Sequence, residues 1–156
     1  MPELVFTNAL VYLGTSTSLT STAGATDVSD HVTKVVMTRK FDTHDDTHMG
    51  QTAHSRVQGL EDITASVDFL QDYASTAGGI SQIIDKLLAS MSNTGTSRAY
   101  LAVRPVNAAR TSDNPEYSLP VILGSYDPVN GAVGDLLKTT VPFMSAGSLS
   151  RLTSAS

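Results

Sequence analysis

Residues 27–73 read D-V-S-D-H-V-T-K-V-V-M-T-R-K-F-D-T-H-D-D-T-H-M-G-Q-T-A-H-S-R-V-Q-G-L-E-D-I-T-A-S-V-D-F-L-Q-D-Y. Both flanks of this stretch are strand-like. In 63–69, Ile63, Ala65, Val67 and Phe69 alternate with Thr64, Ser66 and Asp68, so one face is apolar and the other polar. In 31–41, Val35, Met37 and Phe41 share one face, with Val36, Thr38 and Lys40 on the other. Between them, 42–56 forms a polar tongue with one glycine, no apolar period and Met49 as its only large apolar side chain. A tongue this long and charged is more than a turn, and it needs a partner outside its own domain.

Working outward, 4–13 reads as a first strand, interrupted at Thr7-Asn8, and 15–25 as a Ser/Thr/Gly loop. Ile80, Ile83, Ile84, Leu87, Leu88 and Met91 make one stripe at helical spacing, opened by Gly78-Gly79 and closed by Asn93 and Gly95. A helix of about a dozen residues does not stand alone in water, so it must lie on a sheet. Strand patterns follow at 99–104, 117–126 and 136–144, with Asn130-Gly131 as a turn signal between the last two. Pro120 and Pro142 fall inside these segments and predict edges or bulges there. The pattern predicts a mainly β fold, a β-sandwich or barrel flanked by one α-helix, with a long loop between early strands. One domain over 1–156 is expected, with 42–56 as a protruding loop.

Apolar residues are 40% of the chain and charged ones only 16%. Ser and Thr make up about a quarter, which favours strands and short polar loops over charged helices. Ten Lys and Arg against fifteen acids, net −5, argue against tight nucleic-acid binding, which depends on cations displacing counterions. Cysteine is absent, so disulfides and thiolate sites are excluded. No basic region precedes the first apolar residues, and no apolar run reaches the ~20 residues of a membrane span. No signal peptide or membrane anchor is expected, and the chain reads as cytoplasmic.

H-D-D-T-H, residues 44–48, with His54 nearby, offers nitrogen and oxygen donors to a divalent ion through His44, Asp45, Asp46 and His48. The spacing is not that of H-E-x-x-H, and nothing predicts a helix to put His44 and His48 on one face. Polar loop contacts explain the same residues. No G-x-S-x-G elbow, P-loop or dinucleotide fingerprint is present. No catalytic residue and no cofactor is assigned. The polar set Thr64, Ser66 and Asp68 is either the solvent side of a two-layer fold or the inner wall of a channel.

D-V-S-D-H-V-T-K-V (27–35) followed by R-V-Q-G-L-E-D-I-T-A-S-V-D-F-L-Q-D-Y (56–73) resembles the tail-tube proteins of tailed bacteriophages. The later V-R-P (103–105), N-P-E-Y (114–117), Y-D-P-V-N-G-A-V-G-D (126–135) and S-A-G-S-L-S-R (145–151) are similar in kind and order. The resemblance covers nearly the whole chain and extends to the inner tubes of contractile injection systems. It implies six copies in a ring, joined through sheet edges, and rings stacked into a tube through which DNA passes without specific binding. It also implies other tail proteins as partners, such as the tape measure and the terminator. The same resemblance places the tongue, with Arg39, Asp42, Asp45, Asp46, Met49 and Arg56, against a neighbouring copy. Thr64, Ser66 and Asp68 would then face the lumen, and a terminal arm over 146–156, with Leu149, Arg151 and Leu152, would help join rings. A tail terminator or other virion component is the nearest alternative, and a hydrolase using His44 and His48 a distant one.

Overall fold

The computed structural model describes residues 7–15, 25–73, 79–92 and 98–154. Along the chain come β1 (Leu10–Gly14), β2 (Ala25–Asp27), a 3-10 turn (Ser29–His31), β3 (Val32–Asp45) and β4 (Arg56–Leu70). Then follow α1 (Ile80–Ser92), β5 (Ala99–Arg104), β6 (Glu116–Leu123), β7 (Lys138–Ser145) and β8 (Ser150–Leu152). The strands form one antiparallel sheet in the order β2-β1-β5-β6-β7-β4-β3, with β8 added to β6. Val11 and Leu13 near one end of that order share a buried cluster with Val67 and Phe69 near the other, together with Leu101, Leu119, Val141 and Phe143. A flat sheet cannot bring its two ends together, so the sheet is rolled around this core. The expected β-sandwich or barrel flanked by one helix is the fold observed.

The helix occupies its predicted span. Ile80, Ile83, Ile84 and Leu87 are buried, while Leu88 and Met91 pack half-buried against the same cluster. Its first turn is held from outside by Asp72, whose carbonyl accepts from the Ser81 hydroxyl at 3.2 Å. Gly78, Asn93 and Gly95, expected to bound the helix, lie outside the described residues, as do Leu4, Phe6 and 16–24.

Several quoted motifs prove to be fastenings. In D-V-S-D-H, the Ser29 N–H donates to Asp27 Oδ1 at 2.9 Å. The Ser29 hydroxyl accepts from the Val11 N–H at 2.8 Å, which ties the 3-10 turn to β1. In L-Q-D-Y, the Gln71 amide donates to the Asp127 carbonyl at 2.9 Å and the Tyr73 hydroxyl to that of Pro128. These bonds root the loop between β6 and β7. In N-P-E-Y, buried Asn114 bonds Val106 through both its amide groups, at 3.1 and 3.0 Å. Glu116 pairs with Arg104 and, at 3.7 Å, with Arg110, all three side chains being nearly enclosed.

The prolines sit where the ladder is broken. β6 pairs β8 through residues 116–118 and β7 through 121–123, and Pro120 lies in the gap between them. Pro142 lies on β7 just beyond the residues that β6 pairs, 143–145. The turn expected at Asn130-Gly131 is formed instead at Gly134, whose φ is +91°. Gly131 is closed in by Leu137, since a Cβ there would lie 2.3 Å from Leu137 Cδ2.

Replacing Ile84 with Ala, which leaves a hole under α1, is expected to cost about 2–5 kcal/mol, read as a lower midpoint in denaturant. Glu116→Ala leaves two enclosed guanidinium groups without their carboxylate. It is expected to cost about 3–5 kcal/mol by the same measurement.

Candidate functional site

The β3–β4 ribbon runs from Val32 opposite Phe69 to Asp45 opposite Arg56. Its lower half contributes Val35 and Met37 to the core edge and buries Ala65, Val67 and Phe69. Beyond Met37 every residue of β3 is exposed. The strand ladder therefore continues four residues past Phe41, and only 46–55 of the tongue is non-strand. Alternation did not reveal this because a ribbon wet on both faces needs no apolar face.

A bulge interrupts the ribbon: Phe41 faces Glu61 but Thr43 faces Gln58, so β4 holds one extra residue at Gly59-Leu60. A Cβ on Gly59 would lie 2.9 Å from His44 Nε2 and 3.2 Å from Asp42 Cβ, so glycine lets those side chains lean across. The bulge also turns Val57 away from the face that its spacing from Ile63 predicts. Val57 and Leu60 are exposed at 52% and 82%, alongside Phe41 and the fully exposed Met49. Of these four, sequence reading singles out only Met49 as a contact residue. The isolated glycine in V-Q-G-L-E was the available signal for the bulge.

The tip is internally bonded. Asp45 Oδ1 accepts from the Thr47 N–H at 2.9 Å and from the Thr47 hydroxyl, and Asp45 Oδ2 lies 3.4 Å from His54 Nδ1. The Thr47 hydroxyl in turn accepts from the Ser55 N–H at 3.1 Å. These bonds, led by the Thr47 hydroxyl, hold the Asp45 carboxyl below its usual range. His48 Nε2 lies 3.6 Å from Asp46 Oδ1, and Gly50 makes the end turn at φ +94°. Arg39 is engaged within the ribbon, paired with Glu61 and 5.6 Å above the Phe41 ring. Arg56 makes no ion pair among the described residues. The candidate donors His44, His48 and His54 go to different places, and no group of three or more His, Asp or Glu suited to a metal comes together among the described residues.

Thr64, Ser66 and Asp68 lie on the outer face of β4, opposite the buried side of the strand. Their cross-strand neighbours make this face mixed. One row reads Thr38, Thr64, Met144, Ile122, the next Val36, Ser66, Pro142, and the third Lys34, Asp68, Thr140. The Thr140 hydroxyl donates to Asp68 Oδ1 at 2.7 Å. Val36, Pro142 and Met144 line a shallow depression of about 220 Å³ on this face.

The C-terminal residues expected to form an arm are laid on the chain's own sheet. Tyr117 faces Arg151 and Glu116 faces Leu152, Leu149 packs against the core, and Arg151 donates to the Ser112 carbonyl at 3.0 Å. Three residues of strand are too short to show a period, so this pairing is not legible from local pattern.

Neither family models nor curated relatives match the chain. Solved structures do. A chain of the SPP1 tail tube superposes with a TM-score of 0.68 at 4% identity, over 99% of this chain and 81% of that one. A chain from the virion of a native gene transfer agent particle gives 0.61 at 14% identity, over 92% and 95%. A chain from the sheath–tube complex of an extracellular contractile injection system in its extended state gives 0.65 at 10%, over 98% and 93%. The fold is that of tail-tube proteins. At such low identity the tail-tube likeness rests on topology and on nearly complete mutual coverage, which includes the rolled sheet and its single helix. No helix among the described residues is long and apolar enough to cross a membrane.

Asp45→Ala is expected to loosen the tip without lowering global stability, read as faster hydrogen exchange at the Thr47 and Ser55 amides. Because the Asp45 pKa is lowered, its contribution is present above the ordinary value of 3.8. Protection at these amides is expected to fade as pH drops through the lowered value.

Proposed function

We propose that this chain is the structural subunit of a tail tube, assembling with itself into stacked rings that form a conduit for genome delivery. The observation that carries the reading is the β3–β4 arm, which holds Phe41, Met49, Val57 and Leu60 in solvent on a chain with the tail-tube fold. Burying these four against neighbouring copies is worth about 1.5–3 kcal/mol each at most. Six-fold rings fit the C6 symmetry of the tail of an empty gene transfer agent particle, a related fold with TM-score 0.59. The edge of β3, unpaired among the described residues and at the end of the sheet order, offers a template for a neighbour's strand. Thr64, Ser66 and Asp68 line the lumen in this reading. The excess of acids over Lys and Arg leaves few cations to hold passing DNA. The chain acts as a structural part of the virion tail and not as an enzyme. It assembles in the host cytoplasm with tape-measure and terminator proteins.

Negative-stain electron microscopy over a concentration series tests this. The full chain is expected to give hollow tubes, whereas a terminator would stop at single rings, and monomers throughout would overturn self-assembly. Deleting residues 43–55 is expected to leave a folded monomer, unchanged in its circular dichroism, that forms no tubes at concentrations where the full chain is wholly assembled. Tubes from the deletion would remove the arm from the assembly contact.

A further inference from the structure

Resting on the self-assembly reading, we propose that the β3–β4 arm of one copy docks on the 124–137 loop of the next copy, and that this contact stacks the tube. The two surfaces lie at opposite ends of β4. The arm closes before Arg56, while the loop is fastened just past Leu70, where the Gln71 N–H donates to the Leu137 carbonyl at 2.9 Å. Fifteen residues of strand separate the two ends by roughly 45 Å. Arm and loop of one copy therefore cannot meet.

The loop matches the arm in chemistry. Its stem is fixed by Gln71, Tyr73 and Thr139, which bond the Asp127 and Pro128 carbonyls. Beyond that stem Val129, Val133 and Leu136 stand in solvent at 76%, 108% and 74% exposure. The turn presenting Val133 is set by Gly134 and by the Asp135 N–H donating to the Ala132 carbonyl at 3.1 Å. Among the described residues, most of the exposed large apolar side chains belong either to this loop or to the arm.

Two different patches at opposite ends make a heterologous contact. Each docking leaves one arm and one loop free, so the array grows along the strand direction instead of closing. An arm-to-arm contact would close as a pair. Net charge does not drive the joint: residues 41–60 hold Asp42, Asp45 and Asp46 against Arg56 alone, and the loop holds Asp127 and Asp135 with no Lys or Arg. The contact is apolar against a weak like-charge repulsion, so added salt strengthens stacking by screening.

The absence of cysteine makes cross-linking unambiguous. Tubes of the double variants Leu60→Cys with Leu136→Cys, and Met49→Cys with Val133→Cys, are oxidised and run on a non-reducing gel. A ladder of dimers, trimers and higher species from either pair is expected, growing with salt, while each single variant stays monomeric. Leu136→Asp is expected to leave rings that do not stack. Tubes of both double variants without a ladder overturn the docking while leaving self-assembly standing, and so do dimers from Leu60→Cys alone. Wild-type chain that never assembles overturns both.

Discussion

Fourteen residues of β3 and fifteen of β4 share one antiparallel register, broken by two irregularities, and that register decides what the rest of the molecule faces. Side chains alternate across a sheet, so a slip of one residue would exchange the two faces completely. Val67 and Phe69 would leave the core, and Ser66 and Asp68 would enter it. Because β7 is registered on β4 in turn, the same choice fixes which of its residues join Phe143 inside and which join Met144 outside. The rolled core, the outer face and the direction of the arm all follow from it.

The same ribbon changes character along its length. Near Phe69 it is supported by the core, whereas past Ile63 it is two strands in water, an arrangement that is marginal without help. Help comes from short-range devices: the Arg39–Glu61 pair, the guanidinium above Phe41, the bulge at Gly59, and the Thr47 bonds to Asp45. These shape the arm and leave Met49, Val57 and Leu60 uncovered. A ribbon built this way is ordered enough to present a surface and leaves that surface unfilled, which is the condition that a repeating contact between copies requires.

What was legible in the sequence follows the same division. Where burial is one-sided, the period appeared: the alternation of 63–69 and the stripe of α1 were both found in place, and 99–104 matched β5 to the residue. Where a segment is wet on both sides, or short, the period vanishes. The upper ribbon therefore reads as loop, and β2 and β8 leave no pattern to read. Motifs such as L-Q-D-Y and N-P-E-Y were visible as strings, but their work is long-range. Gln71 reaches Asp127, and Glu116 gathers Arg104 and Arg110, contacts that local pattern cannot express. For the candidate site, Thr64, Ser66 and Asp68 share one face of β4, as their alternation predicts. The apolar residues beside them come from β3, β6 and β7, so only the sheet order could reveal them.

In the proposed tube, that mixed outer face would line the conduit. Between the rows at Lys34 and Lys40, each lysine lies directly across from a carboxylate, Asp68 and Asp62 respectively. The remainder of these rows is Thr, Ser, Val, Pro, Met and Ile, and Arg39 belongs to the other face. Any unmatched cation would be multiplied by the number of copies in a ring, and a ring of free guanidinium groups would grip phosphates by paired hydrogen bonds. Lysines matched across the strand give the face no net charge over these rows, while small polar and apolar side chains offer no strong, directional hold. In the proposed tube, these rows would offer passing phosphates no strong site, and the exception on this face is exposed Lys138, one row further on and across from Leu70.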